Sequence, residues 1–274
     1  MTKIVALVEN TRISKEYYAK HGLCLYIETE KHKILFDLGS DDKFAKNAQK
    51  KGIDLKAVDT VVISHGHLDH GGALKTFMKR NDRAKIYIRK SAFAPHFTKI
   101  LNIPFYAGLD KGLMESPRLV FTGERHVIDE ELTLFSDVKG NAYYSKANDV
   151  LLARKDGRLV KDDFCHEQNL IITAPGGKIL ISGCSHAGIV NIQREAEAVG
   201  EAEMACVIGG FHLFNPTRGN DEKYKLIDDI AVALNEKKST YYTCHCTGVK
   251  TYERMKQTMG DRLQYLSTGM ELCL

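Results

Sequence analysis

Nine residues constrain this chain more than any others: positions 64–72 read S-H-G-H-L-D-H-G-G. Three histidines and one aspartate, His65, His67, Asp69 and His70, fall within six residues. Imidazole and carboxylate donors together suit zinc, iron or manganese. Glycines at 66, 71 and 72 let the backbone turn sharply around the donors. The preceding Val61-Val62-Ile63 has strand character and anchors the loop. In an extended stretch, residues 65, 67 and 69 share one side and 70 points away. A turn at Asp69-His70 then directs the last two donors to a second metal. The spacing therefore favours a pair of sites. The competing reading is a histidine-rich surface loop. Four potential ligands between a buried strand and a Gly-Gly helix start weigh against it.

The rest of the chain alternates strand-length apolar runs with amphipathic helical stretches. Strands are predicted at 3–8, 24–29, 33–36, 59–63 and 85–88, with helices over 42–51 and 72–80. The second half repeats the habit. Strands are predicted at 169–173, 178–182, 204–208, 240–243, 263–266 and 270–273, and helices over 189–199, 221–237 and 248–259. No Pro- or Ser-rich linker interrupts the pattern, so one domain over 1–274 with two similar halves is the simplest organisation. Residues 91–118 are the least regular part and hold three of the five prolines. Such a stretch is either a lid or binding loop, or an ordinary excursion packed on the body.

A net charge of +4 is too mild to argue for nucleic acid. It is compatible with a small anionic substrate. No run approaches about 18 consecutive apolar residues, so no membrane span is expected. The apolar start is too short for a signal peptide. Seven cysteines, an odd count with no framework spacing, point to a reduced, cytoplasmic protein. Oligomeric state is not readable from these features.

The sequence resembles the metallo-β-lactamase superfamily, whose signature is H-x-H-x-D-H. Within it the resemblance is closest to the branch named for the archaeal dihydropterin–ribofuranosylaminobenzene phosphate synthase. Nearly the whole chain carries it: Glu9-Asn10-Thr11, His21-Gly22-Leu23, Leu35-Phe36-Asp37-Leu38-Gly39, the 64–72 motif, Glu167-Gln168, the glycine-flanked Gly183-Cys184-Ser185-His186 string, Gly209-Gly210-Phe211-His212-Leu213 and His245-Cys246-Thr247-Gly248. The resemblance implies a four-layer αββα sandwich and a metal site built on one face. It implies that Asp37 braces the metal loop by hydrogen bonds, a task metal sites require of residues behind the ligands.

His186 and His245 each follow a predicted strand and complete the expected shells. The expected partition is His65, His67 and His186 around one metal, and Asp69, His70 and His245 around the other. The wider superfamily often bridges the two with a late carboxylate. None is evident here, and Cys184 stands near where it would fall. Solvent alone as the bridge, a contribution from Cys184, or one weak site all remain open, with Cys184 read first as a packing residue. Cys244 and Cys246 are read as packing residues too. His212 is expected near the metals without coordinating them, and His21 at the substrate end. His166 is a reserve ligand, His32 reads as solvated surface, and His96 and His126 have no context that singles them out.

Two divalent metals, zinc foremost with iron or manganese compatible, share and acidify a water whose hydroxide attacks an electrophile. Asp69 orients that hydroxide. The expected activity is a dinuclear hydrolase of a small anionic, phosphoester-type compound. The alternative is a transferase condensing a pterin-methyl diphosphate with an aminobenzene ribofuranosyl phosphate. A mononuclear iron thiol-oxidising enzyme is a further possibility. His67 stands where oxygen-reducing di-iron relatives carry glutamate, which argues against that group. A small molecule is the only partner expected, with neither nucleic acid nor membrane.

Overall fold

The computed structural model describes residues 1–140, 142–217 and 219–274. Two seven-stranded sheets pack face to face, with helices on both outer surfaces. In the first sheet the strands run in the order Glu271–Cys273, Lys3–Val8, Cys24–Glu28, Lys33–Phe36, Thr60–Val62, Lys85–Ile88 and Leu119–Phe121. In the second the order is Leu263–Tyr265, Thr240–Thr243, Met204–Gly209, Gly177–Ile181, Gln168–Ala174, Leu132–Ser136 and Arg125–Val127.

Strand alternation explains the layers. In Lys3–Val8, Ile4 and Ala6 face the second sheet, where they meet Leu134, Leu170, Ile181 and Ile208. Val5 and Leu7 face the other way and pack with Phe44, Leu74 and Phe77 of the outer helices. The second sheet shows the same arrangement. Leu180 and Val207 meet Ile192, Ile227 and Met255 of the helices Ile189–Gly200, Tyr224–Asn235 and Val249–Met259. The result is the four-layer αββα sandwich.

Three local differences from the sequence reading have physical reasons. The helix predicted over 72–80 begins earlier and breaks in two, Leu68–Gly71 and Leu74–Met78. Asp69 and His70 therefore sit on a first helical turn, and His67 is its cap in extended conformation. Residues 91–118 are more regular than their composition suggests. His96–Ile100 and Ile103–Tyr106 form a hairpin that joins Leu151–Lys155 and Arg158–Lys161 in a small four-stranded sheet. His32 is not a solvated turn residue: its two ring nitrogens bond the carboxylates of Asp59 and Asp129, and its side chain is 17% exposed.

The parallel part of each sheet positions the site. Lys33–Phe36 runs parallel to Thr60–Val62, and Gly177–Ile181 parallel to Met204–Gly209 and Thr240–Thr243. Asp37, the 64–70 loop, Cys184 with His186, His212 and His245 all follow the carboxyl ends of these strands.

Candidate metal centre

The 64–70 loop is braced from behind by Asp37. This buried carboxylate accepts hydrogen bonds from the Ser64 amide at 2.7 Å, the Ser64 hydroxyl at 2.7 Å and His70 Nδ1 at 2.6 Å. The Ser64 hydroxyl donates to Asp37, so it accepts from His65 Nδ1 at 2.8 Å. Both imidazoles thereby carry a proton on Nδ1 and turn Nε2 forward. Gly66 is required for close approach, since a Cβ there would lie 2.4 Å from the Ala92 carbonyl.

The two late histidines are gripped by a common device. Asn148 donates to the His186 carbonyl at 3.0 Å and accepts from His186 Nδ1 at 2.9 Å. Asn10 donates to the His245 carbonyl at 3.0 Å and accepts from His245 Nδ1 at 3.0 Å. Donation to a carbonyl settles which end of each amide faces the ring. A carboxylate supports each grip. Glu167 accepts from the His186 and Ala187 amides at 2.6 and 3.0 Å, and Glu9 accepts from the His245 amide at 3.2 Å. Asp37, Ser185, His212 and His245 all have positive φ, between 49° and 59°. Such conformations cost roughly 1–3 kcal/mol each and persist only where their surroundings impose them.

His65, His67 and His186 come together with ring centroids 4.6 to 5.1 Å apart. The Nε2 atoms of His65 and His186 are buried without a hydrogen-bond partner. Beside them, His70 Nε2 lies 3.1 Å from His245 Nε2, and Asp69 Oδ2 lies 3.3 Å from His245 Nε2 and 3.7 Å from His70 Nε2. Two ring nitrogens whose far sides both donate cannot face each other at 3.1 Å without a cation, a proton or a metal, between them. These residues fit divalent metals. The chain satisfies the rear of the His65, His70, His186 and His245 rings and leaves the fronts of His65 and His186 without a partner, in a buried place where an unmet polar atom is costly.

The electrostatics separate the two groups. Burial, with neighbouring imidazoles adding to it, holds His65 and His186 well below the ordinary histidine range. Burial also lowers His67 and His245. Burial opposes the charge on His70, but Asp37 and Asp69 beside it raise its pKa to about 9. Burial opposes ionisation of Asp69 as well, yet His70, His21 and His245 hold it well below the carboxylate range.

His67 turns Nε2 toward Asp162, 3.9 Å away. Asp162 also accepts from His96 Nδ1 at 2.8 Å and His166 Nε2 at 3.2 Å. His166 Nδ1 accepts from the Gly66 amide at 3.0 Å, which ties this buried cluster to the metal loop. His166, the reserve ligand of the sequence reading, is grouped with His67, His96 and Asp162, the donor atoms of all four lying within 4.8 Å of one another.

A cavity of about 680 Å³ opens over the centre. Its floor includes His67, Asp69, His186, His212 and His245, and Leu68, Phe105, Tyr106, Val150 and Leu151 form apolar walls. The hairpin in residues 91–118 thus lines the site. His21 stands at the mouth with Nε2 3.2 Å from Asp69 Oδ2. His212 is 7% exposed, and neither of its ring nitrogens has a partner. Cys184 is buried, and its Sγ lies 3.1 Å from His70 Nε2.

Asn148, Asp162 and His96 carry no mark in the sequence, because each acts through a fold contact with a distant residue. Asn10, Glu9 and Glu167 stand in strings that carry the family resemblance, but their roles emerge only from the contacts.

Residues 17–193 match the sequence profile of the metallo-beta-lactamase superfamily. The chain is 27% identical over 285 residues to 7,8-dihydropterin-6-methyl-4-(beta-D-ribofuranosyl)-aminobenzene-5'-phosphate synthase of Methanocaldococcus jannaschii, covering 97% of this chain and 95% of that protein. It superposes on Tm1679, described as a metal-dependent hydrolase of the beta-lactamase superfamily, with a TM-score of 0.84 and 27% identity, over 100% of this chain and 99% of that one. Zinc-bound PqqB from Methylobacterium extorquens shares the fold at 10% identity, with a TM-score of 0.58 over 99% and 100% of the two chains. With the sandwich, the strand-end histidines and these matches together, the chain belongs to the metallo-β-lactamase superfamily.

Proposed function

We propose that this protein is a dinuclear metal-dependent hydrolase of a small anionic, phosphoester-type substrate. The observation that carries the reading is the set of forward-facing Nε2 atoms on His65, His70, His186 and His245, each fixed by a hydrogen bond behind it. His65, His67 and His186 would hold one metal, and Asp69, His70 and His245 the other. Divalent metals, zinc foremost, would supply Lewis acidity and a water acidified toward neutrality.

The chain's own groups supply the rest. Asp69 offers a carboxylate oxygen to orient the attacking water, and His21 holds that carboxylate in place from the cavity mouth. His212 presents unpartnered nitrogens to the same cavity, where it can donate a proton to a leaving oxygen or hold a substrate oxygen. The apolar walls exclude water and strengthen each polar contact inside. The cysteines stand as free thiols, which supports a reducing, cytoplasmic location. Among the described residues no helix is long and apolar enough to cross a membrane.

A second reading is favoured by the cavity itself. Its volume and its Phe105, Tyr106 and Leu151 walls suit a flat heteroaromatic body beside an anionic group. That supports a transferase of the kind named for the archaeal relative, acting on a pterin-methyl diphosphate.

Metal quantification joined to a substrate panel tests both. Two metals per chain, with phosphodiester turnover lost in Asp69→Ala and depressed in His212→Gln, supports the hydrolase. Diphosphate release only when the pterin and aminobenzene substrates are combined favours the transferase. One metal, or no turnover on any phosphate compound, counts against both.

A further inference from the structure

Seven cysteines stand as free thiols, and five are buried. Three of the buried ones behave as small apolar side chains. Cys24 belongs to the core under the first sheet, and Cys206 and Cys244 to the core between the sheets. Cys184 and Cys246 are as deeply buried, at 4% and 3% exposure, yet belong to none of these apolar clusters. Both line the cavity.

The fold brings these two thiols together from different strands. Cys184 follows Gly177–Ile181 and Cys246 follows Thr240–Thr243, and Met204–Gly209 runs between those strands. Strands so separated lie roughly 9–10 Å apart, so the two loops have to meet over the end of the middle one. Gly210 leaves the room for that meeting. A Cβ there would lie 2.4 Å from Cys246 Sγ and 3.1 Å from the Gly183 carbonyl. The Gly210 amide donates to that carbonyl at 2.8 Å, and Cys246 Sγ lies 3.5 Å from the Cys184 carbonyl. The sulfurs of Cys184 and Cys246 and a ring nitrogen of His212 fall within 4.8 Å of one another. A disulfide holds its sulfurs about 2.05 Å apart, so closure draws the pair together by no more than about 3 Å.

His212 adds a second observation. It is 7% exposed, and neither ring nitrogen has a partner. Beside two sulfurs it offers a hydrogen bond to a small polar molecule that reaches the cavity floor.

We propose that Cys184 and Cys246 form a peroxide-sensitive dithiol, whose closure to a disulfide loosens the neighbouring metal ligands. One sulfur attacks a peroxide oxygen and the O–O bond breaks, which leaves a sulfenic acid and a water. The second sulfur displaces the sulfenic oxygen, forming the S–S bond and a second water. Both sulfurs are oxidised, the peroxide is reduced, and the two thiol protons leave in the waters. Closure pulls Cys184 Sγ from His70 Nε2, 3.1 Å away, and tightens the loops that carry His186 and His245. A dithiol reductant reopens the bond by exchange. The pairing stands by itself, while its effect on metal rests on the dinuclear reading.

Thiol counting and peptide mapping test this. Full-length protein, its metal content measured first, is treated with hydrogen peroxide and then with dithiothreitol. Free thiols counted after denaturation are expected to fall from seven to five and to return to seven. Mass spectrometry should find Cys184 linked to Cys246, with fragmentation separating Cys246 from Cys244. Metal affinity, read with a chromophoric chelator, should fall about 10–100-fold on oxidation and recover on reduction. Cys184→Ser and Cys246→Ser should each abolish the link, and Cys206→Ser should form it as the wild type does. Circular dichroism checks folding, and Cys184→Ala or Cys246→Ala replaces a serine variant that misfolds. Seven surviving thiols, a link through Cys244, or sulfinic acid without a link would overturn the proposal. A link that leaves the affinity of a two-metal protein unchanged would overturn the coupling to metal. A link in a protein that held fewer than two metals at the start would support the pair and count against the dinuclear reading.

Discussion

The two proposed ligand groups lie side by side, yet the chain prepares them differently. His65, His67 and His186 are held below the ordinary histidine range, largely by burial, and meet a cation as neutral imidazoles. In the other group His70 is raised to about 9 by Asp37 and Asp69, and Asp69 is fully ionised. His70 Nε2 faces His245 Nε2 at 3.1 Å, so a proton on His70 has to leave before both nitrogens can take a metal. The first group is ready to bind, while the second must exchange a proton for a metal. Loading is therefore expected to be stepwise, with the first group filling first at neutral pH.

The largest effect is expected at Asp37, because it anchors both groups through Ser64 and His70. Its pairing with His70 is fully buried on both sides. Removing one partner of a buried pair typically costs about 3–5 kcal/mol. Asp37→Ala should lose that much stability in denaturant unfolding and should empty the second group first. Unchanged unfolding and metal content would show that Asp37 is not the brace.

The asparagine grips come next. Asn148→Ala is expected to weaken the first group and Asn10→Ala the second, each by about 10–100-fold in metal affinity. Competition with a chromophoric chelator resolves the two steps. A joint loss of both steps in either variant would break the picture of separable groups.

A smaller effect should follow from acid alone. Because the second group must displace the His70 proton, its apparent affinity should fall by up to about tenfold for each pH unit below about 9. The first group should hold its metal until more acidic conditions. Metal retained after dialysis across a pH series measures the order, and simultaneous release would count against it.

The smallest effect is in the metal-free protein. Burial, with help from His96 and His67, lowers His166 to about 4 despite the contact with Asp162. The unfolded chain takes up this proton near 6.5, while the folded chain refuses it until about 4. Stability tied to His166 is present above about 6.5 and lost as pH falls toward 4. The unfolding free energy of wild type relative to His166→Asn should decline across that window. A flat difference would show that His166 does not carry a depressed pKa.

How much was legible in the sequence follows from where each contact is made. The 64–70 donors are adjacent in the chain, so their spacing alone announces them. His186 and His245 could be placed because each follows an apolar strand. Asn10 and Asn148 could not: Asn10 meets its histidine across 235 positions, and Asn148 sits on a short turn with no periodicity. The edge strands Ile103–Tyr106 and Arg158–Lys161, at opposite sides of the small sheet, are exposed at every residue, so no buried face writes an alternation into them. The imidazole beside Cys184 was hidden for a related reason. A buried cysteine looks the same in sequence beside leucines as beside imidazoles.

Every donor leaves from the carboxyl end of a strand, so the sheets act as a rack and the loops as interchangeable fittings. A substitution in a loop can alter the charge, softness or reach of one donor without disturbing strand register. Lineages built on this rack can therefore change metal or substrate one loop at a time. In this chain the fitting between Ile181 and Ile189 is the one to follow, since it carries both a histidine and a thiol to the middle of the centre.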